Sequence, residues 1–211
     1  MNIHTIDIIN NYKFNVKKNK ISLINRNIKG LLELDLDLFG NDVKIIDCSF
    51  NQINKLKLPN SLLELNCSSN KLKYLDCLPD TLTSLYCTNN LLTKLNSLPS
   101  NLKILACAQN KITKLNNLPI GLEFLDCSSN DIFELDNLPT SLKILNCYNN
   151  YLSLLNDLPY GLIELDCHKN QIKELNCLPK SLEKLYCYDN LSINNILDLP
   201  KKLNIIYYEH P

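Results

Sequence analysis

The chain has 211 residues, 22 of them basic and 22 acidic, for a formal net charge of zero. That balance argues against nucleic acid or an anionic membrane as the main partner, since both require net or clustered basic charge. No run of about 18 apolar residues is present, so no membrane span is expected, and Met1–Asn10 lacks the basic-then-apolar order of a secretory signal. The expected location is cytoplasmic.

Residues 1–42 read as an N-terminal cap. Tyr12, Phe14 and Val16 alternate with polar residues, Lys17-Lys18-Asn19-Lys20 breaks the run, and Ile21 and Leu23 resume it. That is the pattern of a β-hairpin, whose apolar face would close the open end of a core. A decayed repeat follows, with Ile21, Leu23, Ile28 and Leu31 in phase and Arg26 where later copies carry asparagine. Leu34 to Phe39 reads as an insertion.

Residues 43–202 contain eight copies of one pattern, L-x-x-L-x-C-x-x-N-x-[LI]-x-x-L-x-x-L-P-x-x, beginning at Val43, Leu62, Leu82, Leu102, Leu122, Leu142, Leu162 and Leu182. The cysteine of each copy is Cys48, Cys67, Cys87, Cys107, Cys127, Cys147, Cys167 and Cys187. The asparagine three residues later is Asn51, Asn70, Asn90, Asn110, Asn130, Asn150, Asn170 and Asn190. Cys107 and Cys127 are 20 residues apart, whereas Cys48 and Cys67 are 19 apart. A fixed period of this length marks a solenoid. The last copy is stretched, its apolar residues falling at Ile193, Ile196 and Leu199. Residues 203–211 form a C-terminal half-repeat cap, with Ile206 and Tyr208 in strand positions.

Within a copy, Leu105 and Cys107 lie two apart and so share one face of a strand. Leu102, Leu105, Cys107, Ile112, Leu115 and Leu118 would all point to one axis. No single coil can bury six such residues; stacked coils about 4.8 Å apart can. The asparagine stands where the backbone leaves the strand and its polar groups lose strand partners. A buried primary amide both donates and accepts, so eight in register would form a ladder. Pro59, Pro79, Pro99, Pro119, Pro139, Pro159, Pro179 and Pro200 mark the return leg. Proline donates no hydrogen bond and fixes φ, so this leg should be extended or polyproline-like.

These residues resemble leucine-rich repeats. The segment Leu102 to Ile112 (LKILACAQNKI) is similar to L-x-x-L-x-L-x-x-N-x-L with cysteine at the third apolar position. Thr113 to Gly121 (TKLNNLPIG) resembles the remainder of the shortest bacterial-type repeat, although Asn116 stands where that type usually has a second proline. The resemblance implies an α/β-type solenoid: a right-handed horseshoe with a concave parallel β-sheet, an extended convex side and very little helix. It also implies a module that binds another protein without catalysis. Two subgroups are similar: the repeat domains of bacterial effectors, and repeat proteins of giant DNA viruses of amoebae. The bias toward Asn, Ile, Lys and Tyr, which have AT-rich codons, favours the viral source, and then the host cytoplasm.

No cofactor is expected. Zinc gathers ligands around a point, usually through C-x-x-C pairs; this chain has none, and its eight cysteines would form a line. They read as small buried hydrophobes. Cys77 and Cys177, the two outside that line, should lie near the surface. A nucleophilic cysteine needs a base nearby. His168 adjoins Cys167, but neighbouring strand residues face opposite sides, so no catalytic residue is assigned.

Binding is expected on the strand positions facing away from the core. One row holds Ile45, Glu64, Ser84, Ile104, Phe124, Ile144, Glu164 and Lys184. A second holds Asp47, Asn66, Tyr86, Ala106, Asp126, Asn146, Asp166 and Tyr186. A third holds Ser49, Ser68, Thr88, Ala108, Ser128, Tyr148, His168 and Tyr188. Ile104, Phe124 and Ile144, with Tyr148, His168, Tyr186 and Tyr188, make an apolar and aromatic stretch of the kind enriched at binding sites. Strand propensity alone would also place Ile, Phe and Tyr here. The alternative to a module gripping an unknown protein partner is a self-associating, homo-oligomeric structural or virion-associated protein, since an open coil end is a free strand edge.

Overall fold

The computed structural model describes residues 19–33, 43–76, 78–175, 177–191 and 199–207. Twelve strands occur in it: β1 (Lys20–Ser22), β2 (Lys29–Glu33), β3 (Ile45–Asp47), β4 (Gln52–Lys57), β5 (Glu64–Asn66), β6 (Ser84–Tyr86), β7 (Ile104–Ala106), β8 (Phe124–Asp126), β9 (Ile144–Asn146), β10 (Glu164–Asp166), β11 (Lys184–Tyr186) and β12 (Ile205–Tyr207). Ten form one parallel sheet in the order β1-β3-β5-β6-β7-β8-β9-β10-β11-β12. Equivalent residues pair across it, Leu125 with Leu105 on one side and Leu145 on the other. No helix occurs among the described residues.

The core follows the repeat. Leu122, Leu125, Cys127 and Ile132 have no exposed surface, and their equivalents along the chain are likewise buried. Leu118 and its equivalents at Leu58, Leu78, Leu98 and Leu158 are only partly buried, packed against the edge of the core. The eight prolines of the return leg are buried. Each proline carbonyl accepts from the leucine three residues on, as in Pro119 O from Leu122 N at 3.0 Å. Those turns close each coil, because proline at the start supplies the φ they require.

Each complete coil bends twice through left-handed backbone. The first bend is at Asn89, Gln109, Ser129, Asn149 and Lys169, the second at Ser97, Asn117, Asn137, Asp157 and Cys177, all with φ between 53° and 58°. Asparagine and aspartate tolerate this region because their short polar side chains bond locally. The coil after Cys48 has no second bend among its described residues. It runs straight instead as β4, which pairs in parallel with β2 in a separate two-stranded sheet on the return side. The missing residue of the 19-residue repeat is thus the one that turns the corner elsewhere.

The N-terminal end differs from the expectation in two respects. The second arm of the expected hairpin is β1, which lies parallel to β3 in the main sheet; the first arm falls outside the described residues. In the decayed repeat Leu32, not Leu31, is fully buried. The cause is a register shift between Gly30 and Leu31, beside Gly30 at φ 78°, a backbone conformation glycine adopts without steric cost. At the other end β12 continues the sheet in register, Ile206 beside Leu185, while Tyr208, the insertion and the stretched segment at Ile193 and Ile196 lie outside the described residues. Leu199 is 46% exposed, unlike its partly buried equivalents.

Candidate functional site

The ladder residues lie inside the solenoid. Asn130 shows the arrangement. Its Nδ2 donates to Cys127 O of its own coil at 3.1 Å, to Ser128 O at 3.2 Å, and to Cys107 O of the preceding coil at 3.0 Å. Its Oδ1 accepts from Ile112 N, also of the preceding coil, at 3.0 Å. Asn70, Asn90, Asn110, Asn150, Asn170 and Asn190 make the same set. Asn51 does more: both Arg26 N and Ile28 N donate to its Oδ1, at 2.9 and 3.0 Å. The asparagine stitches each coil to the one before it.

The thiols are shut away from water. Cys48, Cys67, Cys87, Cys107, Cys127, Cys147 and Cys167 are fully buried and unpaired. Desolvation pushes the Cys67 thiol up to about 12, since the thiolate cannot be hydrated there. Cys187, nearer the end, is raised to about 11 by the same cause. Such thiols are poor nucleophiles. Cys177 is exposed; Cys77 lies outside the described residues. Among the described residues no group of three or more His, Cys, Asp or Glu could hold a metal ion. Two shallow hollows of about 370 and 400 Å³ lie on the return leg, around Tyr74 and around Asn117, away from the sheet face.

The outward rows of the sheet carry the remaining chemistry. Ile104, Phe124 and Ile144 are not open to solvent but half-buried. Strands about 4.8 Å apart make neighbouring side chains cover each other's flanks. The large apolar residues that stand most exposed are instead on the rims and return leg, Ile120 at 83% and Tyr160 at 79%. The tyrosine positions carry an ordered stack. The rings of Tyr148 and His168 lie 4.6 Å apart and 9° from parallel, and those of His168 and Tyr188 lie 4.3 Å apart at 14°. The third row, expected in the strands, lies two residues past the ends of β9, β10 and β11; identical repeat positions in adjacent coils place three flat rings at stacking distance there. Asp166 Oδ1 holds the middle ring through His168 Nδ1 at 2.5 Å. Tyr186 is half-buried in the neighbouring row.

A second device in the same rows has a signal in the sequence that pattern reading passed over. An Asp or Asn two residues before the third row caps it. Asp126 Oδ1 accepts from Ser128 Oγ at 2.6 Å and Ser128 N at 3.1 Å. Asp47 does the same for Ser49, and Asn66 Oδ1 accepts from Ser68 N at 3.1 Å. D-x-S across a cysteine is the spacing to look for, since short acceptors bond the backbone two residues on.

From Ile45 to Tyr188 these rows carry the carboxylates of Asp47, Glu64, Asp126, Glu164 and Asp166 against the single lysine Lys184. Glu164 Oε2 binds that lysine at 2.8 Å, and the hydrogen bond and charge together raise its pKa. Burial and then the Glu64 carboxylate raise the Tyr86 hydroxyl above its usual range. The face is therefore acidic on a chain that is neutral as a whole.

No family model and no curated protein matches the chain. Solved structures do. YopM from Yersinia enterocolitica is 29% identical, with a TM-score of 0.71, over 80% of this chain and 47% of that one. The leucine-rich effector YopM from Yersinia pestis is 27% identical at TM-score 0.74, over 90% and 65%. The functional domain of InlJ from Listeria monocytogenes, described as including a cysteine ladder, is 28% identical at TM-score 0.61, over 90% and 53%. This chain thus spans between about half and two thirds of the length of each. It has the leucine-rich-repeat fold.

Proposed function

We propose that this chain is a non-enzymatic binding module that grips a protein partner on its concave sheet. One observation carries the reading: the apolar row Ile104, Phe124 and Ile144 continues into the ordered stack of Tyr148, His168 and Tyr188 on the same face. Rigid aromatic rings already held in place lose little entropy on binding. Tyrosine-rich, half-buried surface of this kind is typical of energetic anchors. The likeness to effector repeat domains agrees with it. Thiols buried and raised in pKa by desolvation give no support to a catalytic cysteine. A viral source and a host-cytoplasmic site of action belong to the same reading and rest on composition. Ultrastructural labelling of infected amoebae tests them, and absence of signal from infected cells removes them.

The test is capture of partners from host-cell extract followed by residue-level crosslinking. The reading expects crosslinks on the three outward rows, and loss of capture in Phe124→Ala and Tyr148→Ala with a melting temperature within a few degrees of wild type, since truncating one partly exposed stacked ring costs about 1 kcal/mol. Crosslinks on the return leg, or equal loss of binding and fold, would end it.

A further inference from the structure

The carboxylates of the concave face fall into two groups. Toward the C-terminal end each has a basic partner: Glu164 Oε2 accepts from Lys184 Nζ at 2.8 Å, and Asp166 Oδ1 lies 2.5 Å from His168 Nδ1. Toward the N-terminal end Asp47, Glu64 and Asp126 have none. The outward rows carry no lysine, arginine or histidine from Ile45 to Tyr148, and no ion pair among the described residues reaches these three. Asp47 and Asp126 bond Ser49, Asn66 and Ser128, contacts that leave the negative charge in place. All three carboxylates are half-buried, where a charge acts more strongly than in open water.

The rim where the chain leaves these strands is neutral as well. Phe50, Ser69, Asn89, Gln109, Ser129 and Asn149 turn it through left-handed backbone. Phe50 is the outlier, since a bulky ring in that region is sterically costly where asparagine is not. It is 61% exposed and lies in the same coil as Asp47. An exposed ring held at a conformational cost, on a coil with an uncompensated acid, points to a surface kept for contact. Lysine and arginine suit both features, because their aliphatic stems lie along apolar surface while the charged heads stay outside. The same negative charge repels a phosphate backbone.

We propose that the concave face takes an extended segment of its protein partner in one direction, with a lysine- or arginine-rich end over Asp47, Glu64 and Phe50 and an apolar end over Phe124 and Ile144. This rests on the concave grip described above and adds its polarity. Glu64 and Ile144 stand four strands apart in the sheet. At about 4.8 Å per strand that is about 19 Å, which about six extended residues span.

The test is fluorescence anisotropy of the full chain with labelled peptides of about eight residues. One has lysines at one end and leucines at the other, a second has glutamates in place of the lysines, and a third has the lysines and leucines shuffled. The first should bind, and weaken at least about threefold as salt rises from about 0.05 M to about 0.5 M. The second should not bind, and the third should bind about threefold to tenfold more weakly than the first. Glu64→Gln and Asp47→Asn should each weaken the first peptide by roughly twofold to fivefold. Asp47→Asn keeps the cap on Ser49, since Asn66 performs that task for Ser68. Asp136→Asn removes the same charge from the return leg and should change nothing. Phe50→Asn should weaken the peptide while the melting temperature holds or rises. In NMR, a nitroxide on the lysine end should broaden the amides of Asn66 and Ser68, and one on the leucine end those of Ile144 and Tyr148. No binding by the first peptide, equal binding by the second, equal losses in Asp136→Asn and Glu64→Gln, or exchanged nitroxide patterns would overturn the polarity. If that happens while partner crosslinks still map to Phe124 and Ile144, the grip stands and only its polarity falls. Crosslinks confined to the return leg remove both.

Discussion

The coil from Lys20 to Glu33 has Arg26 where the coil around Cys127 has Asn130, yet both close the same turn. In the central coil Cys107 O accepts from two amides, Asn110 and Asn130. In the first coil Leu23 O, Arg26 N and Ile28 N are all served by one residue of the next coil, Asn51. The comparison shows that an asparagine serves its predecessor as much as its own coil. The first described coil can lack its own and still have these groups satisfied. It also shows where the redundancy is absent.

The largest expected effect tests that asymmetry. Asn51→Ala strands three backbone groups of the first coil and should cost about 3–6 kcal/mol, while Asn130→Ala strands Ile112 N alone and should cost about 2–3 kcal/mol. Urea melts of the two variants decide it, and equal costs would mean that the direction of stitching is wrong.

The thiols come next. Each buried thiol has its pKa raised by desolvation in the folded chain, Cys67 from 9.0 to about 12. The folded state then holds protons that the unfolded state has released. The stability this contributes is complete below pH 9 and drains away as pH rises toward 12, by up to about 1.4 kcal/mol per pH unit for each thiol. Thermal melts from pH 7 to 11 should show a flat stretch and then a steep fall, with Cys127→Ala less steep than wild type. Iodoacetamide at pH 8 should label Cys177 but reach Cys127 only after unfolding, as mass spectrometry of the peptides would report.

The smallest effects come from two substitutions that complete a repeat position. Ser141 Oγ donates to Ile120 O and Leu122 O, at 2.8 and 2.6 Å, and Thr81 and Ser181 do likewise in their coils. Gly121 holds the same position without a hydroxyl, and a Cβ there meets nothing within 4 Å. Gly121→Ser should stabilise by about 1 kcal/mol. Arg26→Asn, by contrast, completes the asparagine column at a turn already served from the next coil. Its melting midpoint should match wild type, with a change of under about 0.5 kcal/mol.

The strand register, the buried cysteine line and the direction of the outward rows were legible because leucine, cysteine and asparagine recur at one spacing and only one winding buries them together. The bends were written less clearly. Asn117 and Asp157 suit the left-handed second bend, but Cys177 occupies it, and Lys169 the first bend, without that preference. The β2–β4 pair escaped notice since Gln52–Lys57 looks like a slightly short copy of the return leg. The half-burial of Phe124 depends on its neighbours in the stack, at Ile104 and Ile144, which no single copy reveals.

The stitching has a consequence for how such a chain comes off the ribosome. The amide that completes Cys107 O and Ile112 N belongs to Asn130, 23 and 18 residues later. A freshly made winding therefore stays provisional until the following one has emerged. Maturation must lag synthesis by one full turn, advancing from the N-terminal end like a zip whose slider always trails the teeth.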